Sequence, residues 1–331
     1  MHPIDHWDSQ VLSSTLPVIE ASRNVRTSQD GIRRVAAWMA YEEFGLPDGS
    51  FLFDFGHDAD VLTDLVMLES ALNFAFTDFE TSVKFEADYN GTRYVDSEAM
   101  LACVHRAFKA GEPILEGSWM AAVTRADLAR LFDGTIEMPM LDERVAILNE
   151  IGATLVARFN GRFHIWANGC ERALYADGNG MLERLLADFP RFEDSSTYDG
   201  HRVQFYKLAQ LSLWSLHAVY VRLGQSGLRD LSRATAFADY IVPVALRLMG
   251  ITEYTPDLEA RINSGVMIPR DSLDEIELRA HTIYATALLT DAINELRPAD
   301  KQLVIPQVDY RLWKTYHATF WPHHLTRTTM Y

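Results

Sequence analysis

Apolar residues recur every three to four positions along most of this chain. The segments IRRVAAWMAYEEF from Ile32, LDERVAILNEIGATLVARF from Leu141 and VQFYKLAQLSLWSLHAVYVRL from Val203 each keep one apolar face at the helical period. This spacing predicts a mainly α-helical fold. Helix ends are marked too: Thr124 with Asp127, and Ser272 with Glu275, pair a cap with a first-turn acid, an arrangement that satisfies free N–H groups. Thr255 precedes Pro256 at a first helical position, and Gly250 and Gly265 close the segments on either side. One stretch breaks the period. VKFEADY-NG-TRYVD, from Val83 to Asp96, has strand formers on both sides of Asn90-Gly91, the preferred centre of a type I′ turn, so a small β-hairpin is inserted there. There is no repeat at a solenoid period and no low-complexity tract, and the loop-rich stretches near 46–57 and 186–202 are short. Residues 1–331 are therefore expected to form one composite helical domain.

Charge narrows the list of partners. Against 30 Lys and Arg stand 46 Asp and Glu, a formal charge of −16, so the averaged surface field repels nucleic-acid backbones and anionic lipid. A phosphate-bearing small molecule remains compatible where local cations or helix N-termini override that field. Cys103 and Cys170 lie far apart and form neither a metal-ligand spacing nor a disulfide framework, which suits a reducing compartment. No basic segment followed by an apolar run opens the chain, and no apolar run reaches membrane-spanning length. A cytoplasmic monomer without membrane or direct nucleic-acid contact is expected, and Asn90-Gly91-Thr92 serves as a turn rather than a glycosylation site.

Few motifs announce chemistry on their own. The eleven histidines contain no HExxH pair, and His323 and His324 are sequence neighbours that point differently, so no metal or other cofactor is expected. His57-Asp58 with Asp60 has the residue types of a metal-dependent phosphohydrolase but lacks its further ligands, and a loop or helix-capping role accounts for it. Gly178-Asn179-Gly180 lacks the Lys-Ser/Thr of a phosphate loop and reads as a turn. Two segments are more specific. In GLRDLSRATAFADYIVPVALRLMGI, from Gly227, Asp239 either caps the apolar helix that contains Pro243 or is a carboxylate held at a rigid helix start between aromatic rings. In VDYRLWKTYHATF, from Val308, Asp309 pairs with Trp313 and Tyr310 with Lys314 along adjacent helical stripes, which equally describes an aromatic terminal helix packed on the domain.

Taken together, the segments SRNV and GIRRVA near 22–36, ALNFAF at 71–76, MPMLDERVAILNEIG at 138–152, RVQFYKLAQL at 202–211, TAFADYIVPVALRLMGITEY at 235–254, EIELRA at 275–280 and VDYRLW at 308–313 resemble the queuosine salvage family of queuosine 5′-phosphate N-glycosylases. The resemblance runs nearly end to end. It implies a helical fold similar to helix-hairpin-helix DNA glycosylases and the release of the base queuine for reinsertion into transfer RNA. It further implies that Asp239 is the catalytic carboxylate, that Phe237 stacks on the base, and that Asp309, Tyr310 and His57 contact substrate. The chain departs from the family pattern at Lys314, where members carry an acidic residue, and at Thr77, where an aromatic is usual.

Breaking a ribosyl C–N bond builds positive charge at C1′ and the ring oxygen, which a carboxylate beneath the sugar stabilises or attacks. Asp239 suits either role. A 7-deazaguanine has carbon where a purine has N7, so its departure depends on contacts to the remaining polar edge. That edge presents N1–H and an amine, and an ionised Asp309 is the complementary two-oxygen acceptor. For the 5′-phosphate the candidates are Lys207 of FYKLAQ, then His324 and Arg327 of the C-terminal PHHLTRTTMY. Two other readings fit the same features: a glycosylase for another nucleoside phosphate, and a non-catalytic queuine-binding protein.

Overall fold

The helix Leu273–Asn294 is buried on nearly every side, and its sequence shows why: apolar residues and short Thr and Ala side chains surround it rather than forming a stripe. Around it pack the helices Leu16–Ala21, Gln29–Met39, Val242–Leu248 and Ile305–Tyr316. The helices Ala59–Leu72, Leu141–Arg158 and Lys207–Arg222 build the other side of a contiguous apolar core that runs from Ile4 to Leu312. The computed structural model describes residues 4–45, 48–317 and 319–331, so residues 46 and 47 of the loop-rich stretch near 46–57 lie outside it. The fold is mainly α. No helix among the described residues is long and apolar enough to cross a membrane.

Among the described residues, three antiparallel strand pairs interrupt the helices. The expected hairpin joins Glu86–Tyr89 to Thr92–Val95, with Asn90 and Gly91 at φ 51° and 80° as a type I′ turn requires. A second hairpin, Ser195–Tyr198 with His201–Gln204, stands where only a loop was expected, and it corrects the helix predicted from Val203. Its turn, Asp199-Gly200 at φ 46° and 82°, is the same Asp/Asn-Gly signal seen in the first hairpin. The helix itself begins at Lys207 because Asp194 takes the preceding N–H groups: its carbonyl accepts from Phe205 and Tyr206, its carboxylate from Lys207. The third pair sets Val25–Thr27 against Thr252–Tyr254.

Predicted helix ends hold in detail. Thr124 and Asp127 form a reciprocal capping box, Ser272 accepts from the Glu275 N–H, and Pro256 opens the Pro256–Asn263 helix. The helix expected from Ile32 spans Gln29–Met39 and stops short of Phe44, since Arg297 draws the Ala40 and Glu42 carbonyls out of helical register. Gly31 is required by close approach, because a Cβ there would sit 1.9 Å from the Gly250 carbonyl oxygen.

Segments distant in sequence fasten one another. Glu277 of EIELRA accepts the N–H groups of Arg23, Asn24 and Val25 of SRNV at 2.7–3.0 Å and the Tyr198 hydroxyl at 2.8 Å. Arg144 of the MPMLDER segment is fully buried and donates to the carbonyls of Pro139, Leu72, Phe74 and Ala75, gripping the turn that carries ALNFAF. Arg191 adds bonds to Ala71 and, in the C-terminal segment, to Thr329. Both cations are satisfied by backbone oxygens, which is how a charge without a carboxylate tolerates burial.

Candidate active site

Three segments meet at the centre of the molecule: the start of the Lys207–Arg222 helix, the extended residues 234–239, and the first turns of the Ile305–Tyr316 helix. Gln210 fixes the first two together, its side-chain oxygen accepting from the Thr235 N–H at 2.9 Å and its nitrogen donating to the Thr235 hydroxyl and the Phe205 carbonyl. Asp309 fixes the third, with Oδ1 accepting the Phe237 N–H at 2.9 Å. Arg279 supports the loop from behind through the Ala238 carbonyl at 3.1 Å.

Asp239 does the capping work that the sequence allowed. Its Oδ1 accepts from the Ile241 and Val242 N–H groups at 2.8 and 3.0 Å at the start of the Val242–Leu248 helix, while Oδ2 takes no hydrogen bond from any described residue. One oxygen holds the loop and the other is unengaged. Lys207, Asp239 and Asp309 are each at least nine-tenths buried and stand within one another's fields. Burial raises the Asp239 carboxyl above the usual range, opposed by the Lys207 ammonium and the two backbone donors. Asp309 is raised further, by burial and then by the Asp239 charge. Burial lowers Lys207, and its ammonium makes no hydrogen bond among the described residues. The three groups form a compact, underbonded set of two acids and one base.

Aromatic rings complete the walls. Phe237 lies 6.5 Å from Trp214, whose buried Nε1 has no partner among the described residues, and Tyr240 packs on His323 with ring centres 4.6 Å apart. Beyond Tyr240 opens a cleft lined by Ala75, Phe76, Thr77, Phe79, Tyr240 and His323. Tyr310 lies near-parallel to Trp313, with the exposed Lys314 ammonium 5.8 Å from its ring centre.

The remaining expected residues are dispersed. His57 is exposed at the turn ahead of the Ala59–Leu72 helix, and Asp58 caps that helix by accepting from Asp60 and Val61, so this segment does the capping work expected of it. Among the described residues no group of three or more His, Cys, Asp or Glu could hold a metal. His324 lines the cleft but is buried against Tyr331, and burial pushes its pKa down to about 3, so it supplies no positive charge. Arg327 is exposed and paired with Glu143 at 2.8 Å. Lys207 is enclosed with the two carboxylates rather than free toward a phosphate. Asp309 Oδ1 already accepts the Phe237 N–H, and Oδ2 is the oxygen that no described residue engages. Gly178 and Gly180 give their N–H groups to Glu183, as a turn would, leaving no anion cradle.

Tyr240, His323 and Trp214 were not among the sequence candidates. Tyr240 is adjacent to Asp239 and was legible as part of the motif. Nothing in the spacing of His323 or Trp214 could have brought them to the site.

Comparison with known proteins adds an independent observation. The sequence profile of the family described as "Queuosine salvage protein" matches residues 54–331. A protein of Sphaerobacter thermophilus named queuosine 5′-phosphate N-glycosylase/hydrolase is 33% identical over 324 residues, covering 97% of each chain. Proteins of the same name from Mus musculus and Schizosaccharomyces pombe are 30% and 28% identical, covering 89% and 92% of this chain and 89% and 90% of their own.

Proposed function

This chain belongs to the queuosine salvage protein family, and from that premise we propose that it hydrolyses the N-glycosidic bond of queuosine 5′-phosphate and releases queuine for salvage into transfer RNA. The observation that carries the reading is the buried Lys207–Asp239–Asp309 set, with two unbonded carboxylate oxygens beside aromatic walls, in a chain similar to N-glycosylases along nearly its whole length.

Asp239 acts at C1′. Its Oδ2 faces the positive charge that develops as the C–N bond lengthens, and its capped Oδ1 keeps it in place, so little reorganisation is needed during the reaction. Lys207 balances the buried negative charge and opposes the rise that desolvation imposes on the Asp239 carboxyl. Phe237 stacks on the deazaguanine, and Asp309 Oδ2 meets its polar edge. Tyr310 and His57 belong to the outer part of the substrate site, as the family resemblance implies, and Lys314, which stands where the family is acidic, joins them beside the Tyr310 ring. The substrate is a free nucleotide and not a polymer, consistent with the charge of −16. The enzyme works as a cytoplasmic monomer of one composite domain, and the family resemblance extends to a likeness with helix-hairpin-helix DNA glycosylases.

The test is queuine release from queuosine 5′-phosphate under single-turnover conditions. Asp239→Asn retains a competent helix cap but removes the charge, so melting should be nearly unchanged while turnover falls at least about a hundredfold, roughly 2.7 kcal/mol of transition-state stabilisation. Near-parental turnover in a folded variant defeats the assignment. Queuine bound tightly by a parent protein that releases no sugar identifies a binding protein instead.

A further inference from the structure

A nucleotide substrate brings a phosphate to a strongly acidic protein, and the cations nearest the reaction centre are already engaged. Lys207 is enclosed with two carboxylates, Arg279 is paired with Asp194, His324 is neutral, and Arg327 is held by Glu143. A different cation stands near the cleft beside Tyr240, within the field of His323. Lys84 is half exposed and is carried by the short β-bridge to Thr77, itself a lining residue; its ammonium bonds Asp96 Oδ2 at 2.6 Å. His323 lines the same cleft and lies within the fields of both Lys84 and Asp239. The His323 Nδ1–H donates to the His324 carbonyl at 2.9 Å, which fixes the ring; burial lowers its pKa, and in the neutral ring Nε2 is an acceptor, so His323 shapes the wall and supplies no cation.

The geometry points to Lys84 as the cation of the 5′-phosphate subsite, with Thr77 and the His323 ring in the cleft wall beside it; this inference rests on the nucleotide substrate proposed above. The base side of the site, at Phe237 and Asp309, and the cleft side, at Tyr240 and His323, flank Asp239. A nucleotide with C1′ at Asp239 and its base on Phe237 therefore extends its 5′ end toward the cleft. Asp96 sets the affinity. Its Oδ2 competes with phosphate for Lys84, and its Oδ1 is buried without a partner among the described residues, so the resting ion pair is only half satisfied. Asp96 also adopts φ 56°, a conformation that Asn tolerates as well as Asp does, which makes Asp96→Asn a clean probe of charge.

Ribose 5-phosphate, titrated by calorimetry, tests the subsite without catalysis. The parent should bind it, Lys84→Met should weaken binding at least about tenfold, Lys84→Arg should restore most of it, and Asp96→Asn should tighten it by releasing the ammonium. In turnover, Lys84→Met should raise KM for the nucleotide more than it lowers kcat, and reduce the preference for nucleotide over nucleoside. Equal ribose 5-phosphate affinity in parent and Lys84→Met overturns the subsite, as does weaker binding by Asp96→Asn. Binding that depends on Lys84 in a protein that releases no queuine leaves the subsite standing and removes the glycosidase reading. Queuine release with an unaltered nucleotide preference in Lys84→Met does the reverse.

Discussion

Two clusters of buried charge flank residues 236–239, and they are built on opposite plans. Behind the loop, Arg279 is fully satisfied: it bonds Asp194 through two nitrogens at 2.9 and 2.6 Å, reaches the Ala238 carbonyl, lies 3.6 Å from Glu275, and is sandwiched between Phe205 and Tyr331. Glu275 in turn accepts from the Tyr331 hydroxyl and the Asp271 N–H. In front of the loop, the Lys207 ammonium makes no hydrogen bond among the described residues, and Asp239 and Asp309 each keep one oxygen unbonded. Burial is equally deep in both. A buried charge network whose every group is paired rigidifies the fold, whereas one left underbonded carries a desolvation cost that a substrate can relieve. Two sets of one cation and two carboxyls thus separate into a support and a candidate site by the count of their partners.

Breaking the support should have the largest effect. Arg279→Met leaves Asp194 and Glu275 as uncompensated buried carboxylates and should cost roughly 3–5 kcal/mol of stability by denaturant unfolding. A loss below about 1 kcal/mol would mean that the network is not what holds the loop.

Glu69 extends the comparison to a carboxyl with no cation at all. Partly buried in the Ala59–Leu72 helix and without a hydrogen bond among the described residues, it is raised by burial alone from 4.5 to about 7. The sign follows from linkage: the folded state binds the proton more tightly, so this group's contribution is fully present below pH 4.5 and is lost as pH rises toward 7. Glu69→Gln should remove that decline, so the variant should gain roughly 2–3 kcal/mol on the parent between pH 4.5 and 7.5. Parallel stability curves for the two proteins would refute the isolated-carboxyl description.

The smallest expected effect sharpens the site itself. Asp309→Asn retains an acceptor for the Phe237 N–H but alters the one oxygen facing the ligand, and should weaken queuine binding by roughly 1–3 kcal/mol in calorimetry while leaving melting close to the parent's. Undiminished affinity would remove Asp309 from the base pocket.

Local patterns were legible wherever the physics is local. Helical period, the Thr124 and Ser272 caps and the Asn90-Gly91 turn were all readable from neighbours a few residues apart. The hairpin at Asp199-Gly200 carried the same signal, and its flanking strands were masked by the apolar period continuing from Val203 into the helix beyond. At the site, Asp239 was readable as a cap or a catalytic group; the geometry has the cap in Oδ1 and leaves Oδ2 unengaged by any described residue, so the two readings are compatible.

By itself the sequence determined the helical class, the family, and which short segments matter, since periodicity, capping and motif order are properties of residues close along the chain. Only the tertiary structure decided what the charged residues do. Lys207 and Arg279 are both cations in family-like segments, yet one is left beside two half-bonded acids and the other is locked between Asp194 and Glu275. His323 is half-buried against Tyr240 in the cleft wall, and its neighbour His324 is buried against Tyr331. Desolvation and partner count set these differences, and both depend on contacts between residues dozens to hundreds of positions apart, which no local spacing encodes.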